Sequence, residues 1–290
     1  MKTRLYNYLL LTKPTIMLLV LFSGATALFM EGSLVSQPLR FLLAMLALYL
    51  TGGSANALNN YFERDVDAQM ARTKSKRPLP NGSITPHRAL IFAVSIGLLG
   101  FAIFVIFFNW LSGLLSLGTI LFYSLFYTLI LKPATSQNIV IGGVAGAMAP
   151  VGMWAAATGS LDVTPWTLFL IIFFWSPPHF WALAIAFKED YKKVNYPMLP
   201  LLKGDDKTLR QIFYYSIALF LISLTPVLTK SGIIYLICAV ISGGLFIRKA
   251  ALAQRYKSHK MIWGLFGFSI VYLFSLFAAI IIDSFINYRL

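Results

Sequence analysis

The chain has 290 residues, of which 58% are hydrophobic and only 12% charged, and it carries a net charge of +14. Soluble domains are about a quarter charged and about half apolar, so these proportions exclude a soluble fold and point to a membrane-embedded one. The positive balance does not indicate nucleic acid, because the bases fall in short loops between apolar runs.

The first apolar run, 13–30, is long enough to span a bilayer, and no small-residue cleavage site stands out after it. It reads as a span and not as a secretory signal. Eight more runs follow, at 38–62, 87–109, 111–131, 138–158, 164–188, 208–228, 231–252 and 261–286. Each is near or above the ~20 residues needed to cross the hydrocarbon. The third and fourth are joined only by a turn around Asn109 and Trp110. No strand pattern competes. The expected fold is an all-α polytopic membrane protein with nine transmembrane helices, forming a single membrane-embedded domain over 1–290. The lone cysteine, Cys238, lies in the eighth run and permits no intramolecular disulfide.

The bases set the orientation. Of the 24 Lys and Arg residues, all but Arg40, Lys230 and Arg289 fall at the N-terminus or in the loops after even-numbered spans. The positive-inside rule then places the N-terminus and those loops in the cytoplasm and the C-terminus outside. The ten acids are more selective. Glu31, Asp162 and Asp283 lie on the outer side; the rest fall in two cytoplasmic loops, as Glu63, Asp65 and Asp67 and as Glu189, Asp190, Asp205 and Asp206. Acids contribute little to topology, so orientation does not account for this clustering.

In "NNYFERDVDAQMARTKSKRPLP", 59–80, Asn59, Glu63 and Asp67 are spaced four apart. On a helix each such step drifts only ~40°, so the three form one stripe at what is expected to be an exposed helix end, and Asp65 points elsewhere. An amide and two carboxylates in a column suit Mg²⁺, which typically takes one or two carboxylates together with substrate phosphates. Arg72, Lys76 and Arg77 supply cations for the same phosphate oxygens. The second loop, "FKEDYKKVNYPMLP" at 187–200, repeats the theme with Glu189, Asp190, Lys192 and Lys193. Two such loops on one face could hold one Mg²⁺ or two, with a diphosphate between them; the competing reading is a solvated helix end with paired charges.

A diphosphate held beside an oily bundle points to a prenyl diphosphate. Its ionisation leaves an allylic cation, which favours aromatic faces and the absence of water. "FFWSPPHFW" at 173–181 and Tyr123, Phe126 and Tyr127 offer such faces. His179 is the deep ionisable residue with chemical range, a functional candidate by default. The alternative is a histidine satisfying a carbonyl freed where Pro177 and Pro178 bend the span.

These residues closely resemble the UbiA superfamily of intramembrane prenyltransferases and, within it, the protohaem IX farnesyltransferases. The resemblance covers essentially the whole chain and rests on 56–82, on "QNIVIGGVAGAMAPV" at 137–151 and on "WSPPHFWALAIAFKEDYKKVNYPMLP" at 175–200. It implies nine helices around a central cavity in the cell (inner) membrane, and farnesyl transfer from farnesyl diphosphate to a vinyl group of haem B, with water added, giving haem O. It implies Mg²⁺ on Asn59, Glu63, Asp67 and Asp190, and diphosphate contacts from Arg72, Lys76, Arg77 and Lys188. Haem contacts are expected at His179 and Trp181. Expected partners are farnesyl diphosphate, haem B, the bilayer and an enzyme that hands haem on, with no nucleic acid. Two departures stand out: Glu63 occupies a position where the superfamily usually has Asp, and the second loop reads Lys188–Glu189–Asp190 in place of two aspartates four apart. The alternatives are prenylation of an aromatic quinone precursor and transport of an anionic lipid or metabolite.

Overall fold

The computed structural model describes residues 2–287, with side chains from 5 to 286. Lys2, Arg4 and Arg289 of the charge pattern lie outside the described side chains. In chain order the helices are α1 (Lys2–Leu11), α2 (Pro14–Glu31), α3 (Pro38–Phe62), α4 (Arg64–Asp67), α5 (Ala71–Lys74), α6 (Pro86–Phe107), α7 (Trp110–Leu121), α8 (Lys132–Ala134), α9 (Asn138–Thr158), α10 (Val163–Ala186), α11 (Lys188–Lys193), α12 (Leu199–Ile222), α13 (Ile233–Tyr256) and α14 (His259–Asn287). Between α7 and α8 the chain continues as a π-helix, Phe122–Leu131. Among the described residues nine helices are long and apolar enough to cross a membrane, with α7 and its continuation counting as one. The protein is a multi-pass membrane protein.

The nine spans form a closed ring. Each packs on the next, from α2 through α3, α6, α7, α9, α10, α12, α13 and α14, and α14 returns to α2. Lipid supplies no hydrogen bonds, so the helices satisfy their own backbones and turn apolar side chains such as Leu98, Ile106, Leu129 and Leu228 outward. Small residues let backbones approach: Gly97 and Gly100 of α6 lie against Ser54 and Thr51 of α3. Proline at the first turn opens α2, α3 and α6, where its missing N–H costs nothing. The turn at Asn109 forms as expected, with the Asn109 side chain accepting from the Ser112 amide.

Three features differ from the sequence-based expectation. An additional helix, α1, precedes the first span. The seventh helix begins at Leu199 and not near 208, so "KGDDK" lies within it, and Gly204 breaks its first turns with φ 79 and ψ 166. That backbone conformation is open to glycine and strained for other residues. The fourth span widens into ten residues of π-helix where regular α-helix is expected.

Candidate active site

A cavity opens among the helices. It measures about 300 Å³ and is walled by α2, α3, α7 and its π continuation, α9 and α10. The helices α12–α14 supply none of its lining; their inner faces are filled by Tyr235, Phe246, Tyr272 and Phe277. Its deep walls are apolar, with Val20, Leu48 and Ile120, and with the bare backbone of Gly146 and Gly152, where a Cβ would meet nothing within 4 Å. Its mouth holds Lys13, Asn59, Glu63, Arg72, Arg77 and Lys132.

The stripe of Asn59, Glu63 and Asp67 forms, although α3 ends at Phe62. Glu63 sits at a bend, φ −90 and ψ 1, yet its amide still donates to the Asn59 carbonyl at 2.9 Å, and the Asp67 amide donates to the Glu63 carbonyl at 2.8 Å. The helical register therefore continues across the bend. Asp65 points away, its side chain 81% exposed. The expectation of an exposed helix end is corrected: Asn59, Glu63 and Asp67 are 2–3% exposed.

Buried charges need partners, and these have them. Lys132 pairs with Glu63. Arg77 pairs with Asp67 and lies 3.7 Å from Glu63. Lys13 donates to the Asn59 amide oxygen at 2.6 Å, and the Asn59 amide nitrogen donates to Thr128 at 2.9 Å. Thr128 in turn donates to the Tyr123 carbonyl five residues back, a bond that the π-helix provides. Lys13 is aimed by neighbouring asparagines of α3. Asn56 donates to the Thr12 carbonyl and Asn60 to the Leu11 carbonyl, fixing the α1–α2 junction where Lys13 takes a left-handed conformation ahead of Pro14. Sequence reasoning counted Lys13 and Lys132 only as topology charges and thus missed them as site residues. The available signal was their position at the ends of apolar runs on the same face as Glu63.

The charges settle one another. Burial works to raise the Glu63 carboxyl, but Lys132, Lys13 and Arg77 outweigh it and hold it below the ordinary range. Burial carries Asp67 upward against the pull of Arg77. Burial pushes the Lys13 ammonium down to about 7, with Arg77 adding to the fall and Glu63 opposing it.

The other expected residues divide. Arg72 lines the cavity, held over the rings of Phe187 and Tyr191 at 5.3 and 5.9 Å, with its buried Nε unpartnered. Lys76 is exposed and does not line the cavity. Lys188 pairs with Asp205 at 2.9 Å. Asp190 accepts from the backbone amides of Ala71 and Arg72 at 3.4 and 3.2 Å, so it ties the second loop to the first. It is not among the cavity lining. His179 is also away from the cavity. Its ring is stacked between Trp175 and Phe266, and its Nδ1 shares a hydrogen bond of 2.7 Å with Ser269 of α14. Trp181 is 1% exposed and lies outside this cavity. The haem contacts expected at His179 and Trp181 are therefore not met by this cavity's geometry. His179→Ala should lower thermal stability by about 1–3 kcal/mol, through a stranded Ser269 and lost ring stacking, while leaving haem titration unchanged. Weakened haem affinity at unchanged stability would assign the ring to the substrate.

Facing the ionic mouth, Tyr123 and Tyr127 of the π-helix stack at 5.3 Å and both line the cavity. Gly142 of α9 makes room for them: a Cβ there would stand 2.4 Å from the Tyr127 ring. Cations and acids at the entrance, aromatic faces behind them and an apolar interior can hold an anionic head and an apolar tail, and shield a carbocation between them.

The model of the UbiA prenyltransferase family matches residues 19–281. A protoheme IX farnesyltransferase of Synechocystis sp. is 47% identical over 283 residues, covering 96% of this chain and 89% of its own. One of Nitrosococcus oceani is 42% identical, covering 97% and 94%. Among solved structures, a digeranylgeranylglyceryl phosphate synthase superposes with a TM-score of 0.80 at 21% identity, over 98% of this chain and 99% of the other. A UbiA homologue from Archaeoglobus fulgidus, bound to GPP and Mg²⁺, gives 0.64 at 16% identity, over 94% and 99%. The structures share the fold, and the family match and these relatives span nearly the whole chain: the protein belongs to the UbiA prenyltransferase family.

Proposed function

We propose that the protein transfers the farnesyl group of farnesyl diphosphate to a vinyl group of haem B, giving haem O and diphosphate. The observation that carries this reading is the buried ionic cluster at the mouth of an apolar, tyrosine-walled cavity. Near-full-length relatives named for protohaem farnesylation support the choice of acceptor over a quinone precursor.

In this reading the diphosphate sits among Lys13, Arg72, Arg77 and Lys132, and the farnesyl chain runs inward along α2, α3 and α9. Among the described residues no three of His, Cys, Asp and Glu stand together, so the protein offers two carboxylates and the Asn59 amide. That donor set fits Mg²⁺, which completes its shell with substrate phosphates and water. Glu63, Asp67 and Asn59 would hold it, and when bound it adds positive charge against the departing diphosphate. The cations now paired with these acids then turn to phosphate oxygens. As the C–O bond breaks, the leaving group takes the electron pair, and Tyr123 and Tyr127 face the allylic cation. The vinyl group supplies the electrons of the new C–C bond, and water adds to the resulting cation with loss of a proton. Lys76, Lys188 and Asp190 act around the site: Asp190 positions Arg72 through the α5 backbone. Purified protein with haem B, farnesyl diphosphate and Mg²⁺ should yield haem enlarged by one farnesyl group and one hydroxyl group, read by mass. An unchanged haem, with pyrophosphate released and the farnesyl group transferred to another acceptor, would overturn the proposal.

The same reading places the site on the cytoplasmic side of the cell membrane. Ser75 and Lys203 are exposed at the charged end. In a Cys238→Ser background, cysteines placed there should react with an impermeant thiol reagent only after cells are opened. Labelling of intact cells would reverse the orientation.

A further inference from the structure

A second cavity, of about 320 Å³, opens at the charged end between the start of α9, α10 and the first turns of α12. Gln137, Trp181, Lys203, Lys207, Gln211 and Tyr215 line it. It shares no lining residue with the first cavity.

Its charged groups are both cations, and its two carboxamides and the Tyr215 hydroxyl can donate as well as accept. Lys203 and Lys207 are exposed and have no acidic partner among the described residues, because the two acids beside them are taken: Asp205 by Lys188 at 2.9 Å and Asp206 by Lys257 at 2.7 Å. No carboxylate lines the wall. Trp181 stands edge-on to Tyr215, with ring centroids 5.3 Å apart, and its buried indole N–H has no acceptor. A buried donor left unpaired is costly, so an unpaired one on a cavity wall calls for a ligand that accepts. Two ammonium groups, an indole N–H and two carboxamides with no opposing acid select an anion with several acceptor oxygens. The break at Gly204 belongs to the same construction, because it sits between the two lysines and sets the turn that carries Lys203.

The setting selects the kind of anion. The cavity lies where a span meets the headgroup layer, and α12 presents Leu202 and Tyr214 outward beside the lysines, 59% and 56% exposed. Apolar and aromatic side chains next to lysines at a span end are the pattern of an interfacial lipid contact. At a water's share of about 30 Å³, the cavity holds on the order of ten water-sized groups, enough for a glycerophosphate head. We propose that this cavity is a structural lipid site that takes the phosphate of an anionic glycerophospholipid, whose chains follow α12 into the bilayer. The occupied site joins α9, α10 and α12 beside the loop that carries Asp190. It does not depend on the farnesyl-transfer reading and is tested without either substrate.

The test uses the full-length protein in neutral detergent. Thermal unfolding is followed with added phosphatidylglycerol, phosphatidylcholine or inorganic phosphate, and native mass spectrometry counts retained lipid. Phosphatidylglycerol should raise Tm by several degrees and stay bound, and phosphatidylcholine should do neither. The pair Lys203→Gln with Lys207→Gln should at least halve the Tm shift, and the pair Lys203→Arg with Lys207→Arg should keep it. Trp181→Phe should reduce it as well; if that variant does not fold, the exposed lysine pair decides alone. Equal shifts from both lipids, or a full shift in the glutamine pair, would overturn the site. A shift from inorganic phosphate equal to that from phosphatidylglycerol would overturn the lipid as its source.

Discussion

Asp67→Asn and Glu63→Gln should each reduce farnesyl transfer by about 10²–10³, the usual loss when a charge aimed at the transition state is removed. The two differ in what else they cost. Glu63 is 3% exposed and answers three cations: Lys132 and Arg77 in ion pairs, and Lys13 through the field. Neutralising it leaves buried positive charge uncompensated, and breaking such a pair typically costs about 3–5 kcal/mol. Lys132 and Arg77 have side chains 16% and 21% exposed, which puts the expected loss at the lower end of that range. Asp67 pairs chiefly with Arg77, and its carboxyl is already raised by burial, so Asp67→Asn should unfold less readily than Glu63→Gln. Asp65→Asn should leave both activity and stability within a factor of two of wild type, because that side chain lies in solvent. Thermal unfolding and single-turnover rates on the three variants decide the matter. Equal rate losses at Asp65 and Asp67 would remove the helical stripe as the organising feature of the site.

The spans were legible because hydropathy and length answer to one physical demand, the hydrocarbon thickness. The register of Asn59, Glu63 and Asp67 was legible because helical periodicity survives the bend at Glu63. What the sequence did not reveal depends on contacts between distant segments. Nothing in "FYSLFYTLIL" announces a π-helix, since the wide turn is stabilised by Thr128 reaching Asn59 some seventy positions earlier. Lys13 and Lys132 looked like ordinary loop charges because positive-inside statistics account for any lysine at a span end. Their use depends on Asn56 and Asn60 fixing the α1–α2 junction and on α8 beginning, at Lys132, beside Glu63. His179 is a different case. A deep histidine next to two prolines invited a chemical role, and the fold uses it to join α10 to α14.

Lys132→Met should therefore be nearly as damaging as the loss of an acid. Lys132 follows the last residue of the π-helix, over the Tyr196 ring at 5.0 Å and against Glu63. In the proposed reaction it turns from Glu63 to the diphosphate, so its removal weakens both ground-state binding and leaving-group stabilisation. KM for farnesyl diphosphate should rise, and kcat/KM should fall by about 10²–10³. The pH profile carries a second signature. Lys132 is the strongest of the influences that keep Glu63 ionised against burial. Without it the carboxyl moves to a higher pKa, so Glu63 takes up its proton earlier as pH falls. The acid limb of the rate profile should shift upward in Lys132→Met. Lys132→Arg retains the charge and should hold the limb in place while recovering most of kcat/KM, although the planar guanidinium does not reproduce the point contact. A methionine variant with wild-type kcat/KM and an unmoved acid limb would return Lys132 to the role its sequence position suggests, an anchor at the end of a span.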